Sequence, residues 1–108
     1  LGTDTGCPYI THYDMWRELC YFVKYCGVTP AFALHTATLL NARLAGIDGE
    51  TGSIEAGQAA DLIVCAKDPL ADLSALRTLS MVIKDGYRVE HPAPKKLPEV
   101  ERELDKFL

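Results

Sequence analysis

At 108 residues, with 11 basic against 15 acidic side chains and a net charge of −4, the chain has the length of a single domain and no basic stripe to track a phosphate backbone, which argues against a nucleic-acid binder. Its 48% hydrophobic and 24% charged residues exclude disordered and collagen-like classes. The longest apolar runs, such as "DLIVCA" and "HTATLLNARLAG", are too short to cross a bilayer, and no charged-then-apolar leader pattern follows Leu1. The expectation is a cytoplasmic protein with neither nucleic acid nor membrane as partner. Cys7, Cys20, Cys26 and Cys65 form no C-x-x-C pair, so they read as reduced thiols rather than a disulfide framework or zinc knuckle.

The chain opens on "LGTDTGCPYITHYD", where Asp4 stands between small residues of the kind that build turns and helix caps. From Tyr13 to Tyr25, Met15, Trp16, Leu19, Phe22 and Val23 recur at helical spacing. That predicts an amphipathic helix with Arg17, Glu18 and Lys24 on its other faces, Asp14 at the cap and Gly27 as the stop. Thr29-Pro30 starts a second helix, expected to run to about Ala45 and close at Gly46. Its face of Ala33, Leu34, Ala37, Leu40, Ala42 and Leu44 is rich in small residues, which suits close approach to a neighbour.

Beyond Gly46 the period shortens. Ser53–Glu55 reads as a brief strand and Asp61–Ala66 as a longer buried one, ended by Asp68-Pro69. "LADLSALRTL" predicts a short helix capped by Asp72 or Ser74. "SMVIKDGYRVE" predicts a hairpin that turns at Asp85-Gly86. A proline-punctuated linker, "EHPAPKKLP", then leads to a charged helix, "EVERELDKFL", with Leu104, Phe107 and Leu108 to lay on something. Two helices, a small set of strand candidates and an appended helix are few parts for a closed domain, so the chain reads as part of something larger.

In order and spacing, "GTD", "GVTP", "HTATLLNARLAGI", "GSIEAGQAADLIV", "KDPLADLSAL" and "VIKDGYRV" resemble the C-terminal segment of metal-dependent amidohydrolases. Thr3-Asp4, His12 and Glu18-Leu19 are most similar to the imidazolonepropionase-like and Xaa-Pro dipeptidase-like branch. The resemblance implies an α/β fold: the end of a (β/α)8 TIM barrel over residues 1–46, the C-terminal share of a small β-sandwich over 47–91, and a linker with a terminal helix over 92–108. In that family the aspartate closing the last barrel strand ligates the metal, takes a proton from the attacking water and later passes it to the leaving amine. Asp4 matches that position, and a carboxylate suits it because it can ligate a cation and still accept a proton. His12 is then a substrate contact or, more plainly, a loop histidine capping the next helix. Cys7 lines the pocket mouth or is a half-exposed thiol, His35 packs or hydrogen-bonds locally within the second helix, and His91 sits in the linker.

The family pattern also needs an H-x-H pair, a bridging carboxylated lysine or glutamate and two further histidines, and His12, His35 and His91 do not supply them. A zinc site takes three or four protein ligands. The resemblance therefore implies that a divalent metal, zinc by preference, belongs to the complete enzyme and that an N-terminal barrel portion is missing here. The isolated chain is expected to hold no metal and to be inactive toward the amide, dipeptide or cyclic C–N substrates the resemblance implies. Two alternatives stand beside this reading. One is a stand-alone interaction module that self-associates through its bare helix faces; the other is a deaminase parent of the same superfamily.

Overall fold

The computed structural model describes residues 1–108. An irregular segment, 1–14, leads into α1 (Met15–Cys26), which Gly27 closes in the left-handed conformation with its N–H on the Val23 carbonyl. The expected Asp14 cap does not form: Asp14 makes no side-chain cap bond and instead accepts from Thr11 Oγ1 at 2.7 Å and Trp16 Nε1 at 3.0 Å.

Thr29 caps the next helix through Phe32 N, with Pro30 at its first position. That helix runs as predicted to Ala45, but not as one regular coil. It divides into α2 (Pro30–His35), a π-helical turn (Thr36–Leu40) and α3 (Asn41–Ala45), ended by left-handed Gly46. Thr36 and Thr38 lie at this turn, and their hydroxyls donate to the carbonyls of Phe32 and Leu34, each at 2.8 Å. Such back-bonding competes with the helical ladder and favours local widening. The extra residue turns everything after it by about 100° relative to an unbroken helix. Leu44 is consequently exposed rather than on the packed face, whereas Ala33 and Ala42 are buried.

The expectation of close approach at the alanines holds at Ala42. Gly52, with φ +103°, passes so near that an added Cβ would lie 2.5 Å from the Ala42 Cβ and 3.4 Å from backbone atoms of Leu39 and Thr38. Gly52→Ala combines a left-handed backbone with overpacking, and should cost about 1–3 kcal/mol. A matching drop in the midpoint of thermal unfolding checks it.

The segment Ser53–Glu55 is not a strand. No neighbouring strand pairs with it; the side chain of Gln58 braces it instead, accepting from Ser53 Oγ at 3.0 Å and donating to the Asp48 carbonyl at 3.0 Å. Three strands follow: β1 (Leu62–Cys65), β2 (Leu79–Lys84) and β3 (Tyr87–Glu90), antiparallel in the order β1-β2-β3. β2 and β3 form the predicted hairpin, with Lys84 paired to Tyr87. Asp85 and Gly86 both have positive φ, 50° and 81°, as a two-residue type I′ turn requires. Asp61 fastens the hairpin to β1, its carboxylate accepting from Lys84 Nζ at 3.0 Å and from Asp85 N at 2.9 Å. β1 was expected to be buried, yet Ile63 and Val64 are exposed, because three strands in one layer leave a sheet face uncovered.

Between β1 and β2 a 3-10 helix (Leu73–Arg77), capped by Asp72 on Ser74 N, plugs Leu73 and Leu76 into a core with Trp16, Leu19 and Ala33. The tail forms α4 (Pro98–Leu104) and a terminal 3-10 turn (Asp105–Phe107). Its attachment is polar rather than apolar: Phe107 and Leu108 stay exposed, and their carbonyls accept from Lys24 Nζ, each at 3.0 Å. Glu101 is buried against Arg17, itself 2% exposed, so Arg17 faces inward rather than to solvent as its place in the helical pattern suggested. Arg17 lies 3.3 Å from Asp14, 3.1 Å from Glu101 and 2.7 Å from Asp105, while Arg77 bonds Glu101 and Asp105, each at 3.0 Å. Both guanidiniums sit over the Trp16 ring, at 4.6 and 5.3 Å.

Burial opposes ionisation of Asp14, but the Thr11 hydroxyl, the Glu101 carboxyl, the Arg17 charge and the Trp16 N–H outweigh it and hold its carboxyl below the ordinary value of 3.8. Asp105 is lowered too: desolvation is overcome by hydrogen bonds and charge from Arg77 and Arg17. Depressed carboxylates contribute stability that is complete above the unfolded value and is lost as pH falls through the folded one. The tail attachment should therefore be unaffected by acidification to about pH 4 and weaken below it. The emission of Trp16, the single tryptophan, reports this transition in an acid titration.

Candidate active site

The segment that carries Asp4 is fixed at its start and turned at its end. Leu1 packs its side chain against the core. Its carbonyl accepts from Asn41 Nδ2 at 2.7 Å. Three residues on, Asp4 adopts φ +55°, a left-handed conformation that aspartate tolerates better than most residues. The hydroxyls of Thr3 and Thr5 are hydrogen-bonded to each other across it. Asp4 is exposed, and its Oδ2 accepts from Cys7 Sγ at 3.3 Å. Cys7 is thus an exposed thiol that touches the candidate carboxylate.

His12 lies in a turn before α1 and is exposed; it is not the cap of that helix, which has no side-chain cap bond. His35 is exposed rather than packed, and lines a groove of about 670 Å³ with Leu39, Asn41, Ile54 and Ile63. That groove does not include Asp4. A smaller cleft of about 150 Å³ lies beside the Asp4 segment, between Thr3, Tyr9, Glu18 and Tyr21, with Arg17 at its floor. All four cysteines are free, and burial pushes the Cys20 and Cys65 thiols up, which disfavours the reactive thiolate.

The donor set decides what this chain can hold. No three His, Cys, Asp or Glu side chains are placed to hold a metal ion, so Asp4, His12, His35 and His91 do not assemble a metal site among themselves. Asp4 still fits the part of a single ligand: it is an exposed carboxylate on a fixed segment with Oδ2 held by one weak donor. Sequence reasoning missed Asn41, whose only signal was a polar residue within a helix face of small and apolar ones. It missed the Arg17–Glu101 pair as well, separated by 84 positions.

The amidohydrolase family model matches residues 1–89. The chain belongs to the amidohydrolase family. It superposes on the crystal structure of a "putative prolidase from Bifidobacterium longum" with a TM-score of 0.94 and 47% identity, over 97% of this chain and 26% of that one. A Xaa-Pro dipeptidase with methionine bound in its active site superposes with a TM-score of 0.66 and 40% identity, over 69% of this chain and 18% of that one. An N-acetylgalactosamine-6-phosphate deacetylase of Escherichia coli O157:H7 is 46% identical over 41 residues, 38% of this chain and 11% of that protein. The chain thus spans about a quarter or less of the length of these relatives. The suspected branch is borne out by the prolidase and dipeptidase structures. The relatives are hydrolases of C–N bonds, and the family is generally metal-dependent. In this amidohydrolase chain the α/β architecture includes the three-stranded antiparallel sheet, and no helix is long and apolar enough to cross a membrane.

Proposed function

We propose that this amidohydrolase chain is the C-terminal portion of a metal-dependent dipeptidase of the Xaa-Pro type, with Asp4 as metal ligand and proton carrier. The observation that carries the reading is the near-complete superposition on a prolidase, combined with a segment that holds one exposed carboxylate at a fixed point. On this reading residues 1–46 end the (β/α)8 barrel, 47–91 are a share of the β-sandwich, and 92–108 strap the end of the chain to α1.

In the complete enzyme Asp4 would supply this part of the chain's ligand to a divalent metal, zinc by preference, which when bound would supply activation of the attacking water. One oxygen of Asp4 then receives the proton that the water loses. Its Oδ2 remains oriented by Cys7, and the same carboxyl later delivers the proton to the departing amine nitrogen. Tyr9 and Tyr21 line the cleft beside the Asp4 segment. His12, exposed in the neighbouring turn, is available to the substrate rather than to the metal.

The remaining ligands and the rest of the sandwich come from the N-terminal portion. The exposed Ile54, Ile63 and Val89 and the larger groove suit it as the surface it covers, since apolar patches of this kind mark interaction sites. On this reading the isolated chain binds no metal tightly and turns over no amide.

The test is a substrate panel on the full-length enzyme: Xaa-Pro dipeptides, N-acyl amino acids, cyclic amides and N-acetylated sugar phosphates, with metal content measured alongside. Preferred cleavage of Xaa-Pro dipeptides supports the reading. Action confined to N-acetyl sugar phosphates would transfer it to the deacetylases, and action confined to aminated heterocycles to the deaminases.

A further inference from the structure

Asn41 reaches back across the chain to the Leu1 backbone, its Nδ2 donating to the Leu1 carbonyl at 2.7 Å. The amide supplies the N–H donor that this carbonyl needs, which a carboxylate of the same shape lacks. Asn41 directly follows the π-helical turn Thr36–Leu40, and that turn sets its direction. Without the extra residue the helix would carry position 41 about 100° around its axis, away from the segment it holds. π-bulges recur at functional sites for this kind of re-aiming. The helix is itself anchored there, because Ala42, the next residue, is pressed against Gly52.

We infer that Asn41 is a positioning residue: through its hydrogen bond to the Leu1 carbonyl it fixes the segment whose left-handed turn presents the Asp4 carboxylate. This deepens the proposed function and rests on its reading of Asp4. The requirement on the anchor is geometric, since an ångström of misplacement in a reacting constellation costs on the order of 10²-fold. Asn41 touches neither Asp4 nor the cleft beside it; its effect passes through three residues of backbone.

The test uses the full-length enzyme and three variants. Asn41→Asp keeps the shape and sets an oxygen against the Leu1 carbonyl; Asn41→Leu removes the bond; Asp4→Asn is the reference. Three quantities are read: amide hydrogen exchange over residues 2–5, metal affinity by chelator competition, and kcat with KM for the best substrate of the panel. Both Asn41 variants should speed exchange at residues 2–5 at least tenfold while amides of α1 are unchanged. They should weaken metal binding and lower kcat by about 10–100-fold, with KM little altered, as loss of an outer-shell support does. Unchanged exchange at residues 2–5 overturns the proposal. Faster exchange with normal kcat and metal affinity also overturns it, provided that Asp4→Asn is impaired. If Asp4→Asn is itself unimpaired, the reading of Asp4 falls, and with it the catalytic meaning of the anchor, even where the exchange result stands.

Discussion

Asp4→Asn in the full-length enzyme is expected to lower kcat by about 10²–10⁴-fold, the range that a positioned proton carrier contributes, and to weaken metal retention at the same time. The amide keeps the size of the side chain and can still accept from Cys7, but it carries no charge to ligate a cation and no basic oxygen to take a proton. Stability should not change, because Asp4 is exposed and its one side-chain hydrogen bond is a 3.3 Å contact from a thiol. The decisive comparison is therefore kcat and metal content against the thermal midpoint, measured on the same preparation. A variant with more than a tenth of the parental kcat and its full metal content would remove Asp4 from the mechanism.

The largest effect on stability is expected at Arg17. Its guanidinium is enclosed by Asp14, Glu101 and Asp105, and Glu101 Oε1 is buried with no donor of its own. Removing the cation leaves three carboxylates facing Arg77 alone, two of which Arg77 already bonds. Breaking a buried pair from one side costs about 3–5 kcal/mol. Arg17→Ala should therefore destabilise by about 3–5 kcal/mol, read as a drop in the thermal midpoint. The exposed pair Lys106–Glu103 is closer, at 2.6 Å, yet both side chains are about 60% exposed, and Lys106→Ala should produce no measurable shift. If the two variants unfold at the same temperature, the Arg17 network does not hold the tail. The expected loss follows from burial rather than from distance.

The hairpin was legible because its evidence is local: Asp85-Gly86 can take two positive φ values in succession, and alternating apolar residues flank it. The starts and stops of the helices were legible for the same reason, Thr29-Pro30 and the left-handed Gly27 and Gly46 being punctuation that acts on its neighbours. Ser53–Glu55 was misread because a strand exists only with a partner, and the partner is not written in the three residues themselves. The π-helical turn was not foreseen either. Thr36 and Thr38 are unremarkable in a helical pattern until their hydroxyls are seen to take the carbonyls of Phe32 and Leu34.

Asp4 was singled out through the order of short motifs along the chain, and its chemistry follows from being a carboxylate. What holds it in place was invisible from that vantage: Asn41 is 40 positions away, and nothing in its immediate surroundings marks it as an anchor. The same applies to Arg17, which periodicity assigns to an outer face and which the arrival of Glu101 and Asp105 turns into an interior residue. The sequence by itself determined the local elements, the caps and the carboxylate of this chain, since those depend on residues a few positions apart. Only the tertiary structure decided which polar groups are buried and which side chain anchors the Asp4 segment, because both depend on charges and amides that meet across most of the chain.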